Sequence, residues 1–109
     1  MATAYKVLGQ TGDASANNVT LYTCPSSTET IVSTLVIANR EAAVNTFRVA
    51  VRPDGATLAN EHYLAYDVSI AANDTLTLTL GITMDASDLL TVGASDANVS
   101  FSLFGSEIS

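Results

Sequence analysis

The chain has 109 residues, 4 Lys and Arg against 11 Asp and Glu, one His and one Cys, with 48% hydrophobic and 14% charged residues. That composition is too apolar for disorder and fits one compact domain over residues 1–109, and no apolar run approaches the ~20 residues that cross a bilayer. The cations Lys6, Arg40, Arg48 and Arg52 are scattered, which excludes the basic groove a nucleic acid needs and the clustered cations an anionic membrane attracts.

In chain order, Tyr5–Gln10 and Val19–Cys24 predict short strands. Ile31–Ala38 is apolar on both faces, Ile31, Leu35 and Ile37 alternating with Val32, Val36 and Ala38, the pattern of a strand covered on both sides. The second cover is either this chain's own first strand or a loop, or a neighbouring subunit. Asn45–Arg52 places Phe47, Val49 and Val51 inward and Arg48, Ala50 and Arg52 outward. Asp54–Asn60 is the longest break, with one weak helical turn over residues 56–59. Glu61–Ile70 puts His62, Leu64, Tyr66, Val68 and Ile70 on one face. Thr75–Leu80 alternates threonine with leucine, the signature of a half-buried antiparallel strand. Leu89–Ala94 and Val99–Leu103 complete about eight strands. Turn residues every 8–15 positions and no amphipathic helix predict an all-β protein, an antiparallel β-sandwich or jelly roll.

The residues that carry chemistry are few. Cys24 is alone, so no disulfide forms within the chain, and between Thr23 and Pro25 it reads as a small half-buried hydrophobe. His62, beside Glu61, has no nucleophile in a catalytic context, and a backbone hydrogen bond is its expected role. Asp85, Asp88 and Asp96 lack calcium-loop spacing and read as turn caps. The glycines are isolated, so no phosphate loop exists. No catalytic, cofactor or metal residues are therefore expected. The three Asn-x-Ser/Thr triplets at Asn18, Asn73 and Asn98 read as turn chemistry, and residues 1–13 lack the apolar core of a secretory leader.

Five residues are candidates for an interface: Val32 and Val36 on the two-faced strand, Arg48, Arg52 and Phe104. Arg48 and Arg52 lie four apart on one strand, so they share a face about 13–14 Å from each other. They either pair with Glu61 or Asp67 of the next strand or meet a neighbouring subunit, where charges set register and partner choice. Phe104 lies opposite Phe101 on a serine-lined face and is either covered by the chain or a contact anchor.

Residues 1–10, Leu-Tyr-Thr-Cys-Pro-Ser-Ser (21–27), Ala-Asn-Arg (38–40), the stretch 50–68 and Phe-Gly-Ser-Glu-Ile (104–108) resemble small virion structural proteins of tailed bacteriophages, particularly marine and cyanobacterial ones. The resemblance spans essentially the whole chain and supplies no functional residues. It implies a non-enzymatic particle component without cofactors, made in the host cytoplasm and present in the virion in many copies. The leading expectation is a capsid decoration, or cement, protein bound to the major capsid protein as a homo-trimer or homo-dimer. The alternatives are a tail, neck or baseplate accessory such as a fibre adaptor, bound to tail proteins, and a host-surface carbohydrate-binding β-module.

Overall fold

A computed structural model describes residues 2–16 and 18–109. Eight strands run β1 (Thr3–Thr11), β2 (Val19–Thr23), β3 (Glu29–Asn39), β4 (Asn45–Arg52), β5 (Tyr63–Ile70), β6 (Thr75–Met84), β7 (Leu89–Ala94) and β8 (Val99–Ile108). The excursion between β4 and β5 carries two 3₁₀ turns, Pro53–Gly55 and Asn60–His62, rather than a helical turn over residues 56–59. The expected all-β sandwich is what the chain forms. One sheet has the order β1-β8-β3-β6 and the other β2-β7-β4-β5. Every neighbouring pair is antiparallel. The chain crosses between sheets repeatedly, and this two-sheet strand order is that of an eight-stranded jelly roll.

Alternation builds the core wherever it is unbroken. Phe47 and Val49 of β4, Leu90 and Val92 of β7, Leu35 and Ile37 of β3, and Val99, Phe101 and Leu103 of β8 are all buried. The Phe47 and Phe101 rings meet edge to face at 6.4 Å, joining the sheets at mid-molecule.

Register shifts interrupt β1, β2, β3, β5 and β6, and those in β3 and β5 redirect the expected faces. Against β8, β3 runs Val32↔Gly105 and then Thr34↔Phe104, so Ser33 is an extra residue. One inserted residue reverses which side chains face inward. Val32 and Leu35 therefore both lie in the core at 0% exposure, and Ile31 is turned out at 41%. β3 thus stays apolar on both faces, but the bulge exchanges Ile31 and Val32 between them, and Val32 is removed as an interface residue because its side chain lies in the chain's own core. Val36 stays on the outer face, half-buried.

In β5 the register slips between Ala65 and Val68, and Asp67 takes a left-handed conformation with φ 51°. Leu64 and Tyr66 are consequently exposed while Ile70 is buried, so the single face expected for β5 is broken in two. Ala50, expected outward, is 2% exposed, because Leu58 of the excursion and its cross-strand partner Tyr63 of β5 close over it.

The two flanks of the sandwich differ. On one flank β1 meets β2, with Gly9 so close to the Leu21 carbonyl that a Cβ there has no room. On the other, β5 and β6 leave the 71–74 turn with almost no contact along their lengths. Leu76, Leu78, Leu80 and Ile82 pack on the core from β6, yet each is only half-buried.

Candidate interaction surfaces

The outer face of the β2-β7-β4-β5 sheet carries charge. Arg48 donates from Nε to Asp67 Oδ1 at 2.6 Å and from a terminal nitrogen to Oδ2 at 3.2 Å. The left-handed backbone at Asp67 accompanies this fork, and the guanidinium also lies 4.2 Å over the Tyr66 ring. Tyr66 in turn meets Tyr63 edge to face at 4.9 Å. The hydrogen bond to Arg48 lowers the Asp67 pKa below its ordinary value, and the same bond raises that of Arg48. Arg52 donates from Nε to the Ala56 carbonyl at 2.7 Å and anchors the excursion. Both arginines thus have partners within the chain: Arg48 takes the cross-strand Asp67, and Arg52 takes a backbone carbonyl rather than Glu61. A shallow polar groove of about 360 Å³ runs beside the ion pair, over Thr46, Gly93 and Ser95.

The outer face of the β1-β8-β3-β6 sheet is chemically different. Register aligns Thr75, Ala38 and Ser100 in one cross-strand row, and Thr77, Val36, Ser102 and Gln10 in the next. Two further rows hold Thr79, Thr34, Phe104 and Val7, then Thr83, Ile31, Ser106 and Tyr5. None of these residues is charged, on a chain whose formal charge is −7; the row beyond them, Thr3, Ile108 and Glu29, ends in an exposed carboxylate. At one end the face turns apolar: Tyr5 is 86% exposed and Val7 50%. With Ile31, the half-buried Phe104 and Lys6 at its edge, they line a depression of about 450 Å³.

The residues with chemical potential are occupied structurally. Cys24 is fully buried, beyond the half-burial expected, and its Sγ donates to the Thr28 carbonyl at 3.3 Å. His62 Nδ1 accepts from the Ala59 N–H at 3.0 Å. Asp88 accepts the backbone N–H groups of Asp54 and Asp85, at 2.8 and 2.9 Å. Asp96 accepts that of Asn98 at 2.9 Å. Asn18 and Asn73 hold positive φ in turns. Among the described residues no group of three or more His, Cys, Asp or Glu side chains is arranged to hold a metal ion, and no helix is long and apolar enough to cross a membrane.

One polar cluster escaped the sequence reasoning. Tyr22 donates its hydroxyl to Glu107 and sits 2.7 Å from Thr30 Oγ1, while Lys6 pairs with Glu107 at 2.8 Å. Burial and the Glu107 hydrogen bond push the Tyr22 phenol well up. Lys6, then Tyr22, pull the Glu107 carboxyl down. The cluster ties β1, β2, β3 and β8 together at the closed flank. Its signal was parity: Glu107 continues the inward series of Phe101, Leu103 and Gly105 beyond the expected end of β8 at Leu103.

An eight-stranded jelly roll whose exposed surfaces divide into a charged face, a largely uncharged face and an open flank is the class that this geometry defines. No protein-family model matches the sequence, and no curated protein matches it. Similar folds occur among solved structures. A chain in the crystal structure of the T13 IBDV viral particle superposes with a TM-score of 0.54 and 16% identity, over 97% of this chain. A chain in the structure of the infectious bursal disease virus Gx strain superposes with a TM-score of 0.50 and 15% identity, also over 97%. The present chain spans 29% and 31% of those chains' lengths, respectively. At these identities the likeness is one of fold.

Proposed function

We propose that this chain is a non-enzymatic virion structural protein, and specifically a capsid decoration protein that binds the outer head surface as a small oligomer. The observation that carries the reading is the superposition of 97% of the chain on part of a chain from a viral particle, together with the sequence resemblance to phage virion proteins. The docking surface is the outer face of the β1-β8-β3-β6 sheet, charge-free across its four central rows and anchored at Tyr5, Val7, Ile31 and Phe104, with Val36 nearer its middle. Exposed apolar anchors with few charges around them are desolvated at low cost. Ala, Ser, Thr and Val around them lose little side-chain entropy when packed against a lattice. Arg48 and Arg52 stand at the margin in this scheme, because recruiting Arg48 to a partner first breaks its fork with Asp67. The major capsid protein is the favoured partner, and neither nucleic acid nor membrane is one.

The test is copy number in purified particles. A decoration protein is expected at a ratio to the major capsid protein near that of the lattice sites. A few tens of copies or fewer instead assigns it to the tail, neck or baseplate. Phe104→Asp combined with Ile31→Lys is expected to abolish incorporation while leaving the soluble chain folded. Unchanged incorporation rejects this face as the docking surface.

A further inference from the structure

We infer that two copies of this chain associate through β6, edge to edge and antiparallel, into one continuous sheet of order β1-β8-β3-β6-β6-β3-β8-β1. The inference concerns the chain by itself and does not rest on the virion reading.

An edge strand presents unpaired backbone N–H and C=O groups, and proteins that stay monomeric blunt it with charge, proline, brevity or a bulge. Three of the four edges here are blunted in that way. β1 carries Lys6 and a bulge between Val7 and Gly9. β2 is only five residues long. β5 carries Asp67 in a left-handed bulge. β6 has ten residues with neither charge nor proline. Its one irregularity is a bulge between Thr79 and Ile82, with Gly81 at φ 61°, near its C-terminal end, which leaves Thr75–Thr79 as a regular strand with period-two alternation.

Three features select a second copy as the occupant. First, a two-fold axis through any residue of an alternating strand maps even positions onto even ones. Leucines then face leucines and threonines face threonines, and opposed residues in an antiparallel pair share one side of the sheet. Second, the half-buried Leu76, Leu78 and Leu80 gain apolar neighbours on the side that β5 leaves open. Third, each copy carries −7, so association needs an uncharged contact strip, and β6 supplies one. With the axis at Leu78, Asp74 lies opposite Ile82 and Asp85 opposite Ala71, so no acid meets its own counterpart.

A pair of strands this short is a small interface, at the weak end below about 1,200 Å² of buried surface. A dissociation constant on the order of 10–100 µM is therefore expected. Sedimentation velocity of the intact chain over a concentration series reads it directly. The expected result is a reversible monomer–dimer equilibrium that Thr77→Lys with Thr79→Lys weakens at least tenfold, and that Gln10→Lys at the opposite margin of the same face leaves unchanged. A second measurement needs no variant: amide exchange of the unmodified chain is expected to gain protection with concentration in β6 and not in β1, β2 or β5. A chain that stays monomeric at millimolar concentration overturns the inference. So does a dimer indifferent to both lysines, or one whose exchange protection appears on another strand. A monomer that nevertheless loads onto particles rejects the β6 dimer and leaves the virion reading standing.

Discussion

The two long flanks of the sandwich are finished by opposite means. On the β1–β2 flank the backbones meet at Gly9 and Leu21, and the Lys6–Glu107–Tyr22–Thr30 cluster ties both sheets together. On the β5–β6 flank the strands diverge and a row of leucines is left half in water. The difference teaches where the chain satisfies itself and where it leaves work for a neighbour. A closed flank has its polar atoms partnered internally and offers little to bind. An open flank retains both apolar surface and unpaired backbone, the two ingredients of strand addition.

Substitutions break or sharpen this comparison, and the largest effect comes from a matched pair. Leu35 and Leu78 are cross-strand partners facing the same core, one at 0% exposure and the other half-buried. Leu35→Ala is expected to cost about 2–5 kcal/mol, and Leu78→Ala about 1–2 kcal/mol, in proportion to the smaller area it buries. Equal losses in denaturant titrations at low protein concentration remove the distinction between an interior and an open flank.

Next comes the glycine at the β3 bulge. A Cβ on Gly105 runs into the Ile31 carbonyl and the Val32 backbone, so Gly105→Ala is expected to cost about 1–3 kcal/mol by overpacking. Gly81→Ala meets open space but must hold φ 61°, a conformational penalty of about 1–2 kcal/mol. Thermal melts of the two variants order them, and a neutral Gly105→Ala contradicts the close approach.

Tyr22→Phe removes a hydroxyl that bridges Thr30 and Glu107, with an expected loss of about 1–2 kcal/mol. Asp67→Asn, on the exposed Arg48 pair, is expected to shift the urea midpoint less than any of these, as surface ion pairs do.

The pH dependence follows from the same groups. Glu107 and Asp67 titrate below their unfolded values because Lys6 and Arg48, respectively, hold their carboxylates. The unfolded chain therefore takes up protons first as pH falls. The stabilisation from these groups is complete above the ordinary carboxylate range, about 3.9–4.3. It is lost as pH drops through the depressed folded values. Urea midpoints are expected to stay level from pH 7 to 5 and fall below about pH 4, with a shallower fall in Lys6→Met. A midpoint that rises on acidification contradicts this assignment.

Much of the architecture was legible because alternation is a direct consequence of pleating. The Asn45–Arg52 and Leu89–Ala94 strands have the bounds that their patterns indicated, and the aspartates cap turns as their positions suggested. Bulges were not legible. Ser33 reads like any outward residue, and only its backbone, set by long-range pairing with β8, turns Val32 inward and Ile31 outward. The same holds for Asp67, whose left-handed conformation redirects Leu64 and Tyr66. Arg48 was half legible, since the sequence offered both Asp67 and Glu61 and cross-strand register selects Asp67. The largely charge-free face lay beyond reach, because its rows join residues from four strands far apart in sequence.

Native-state hydrogen exchange in dilute, monomeric protein tests the contrast between the flanks most directly. The β6 amides not bonded to β3 are expected to exchange as freely as loop amides, while those of β8, paired on both sides, exchange only through global unfolding. Protection along β6 equal to that of β8 in the dilute monomer contradicts an open flank.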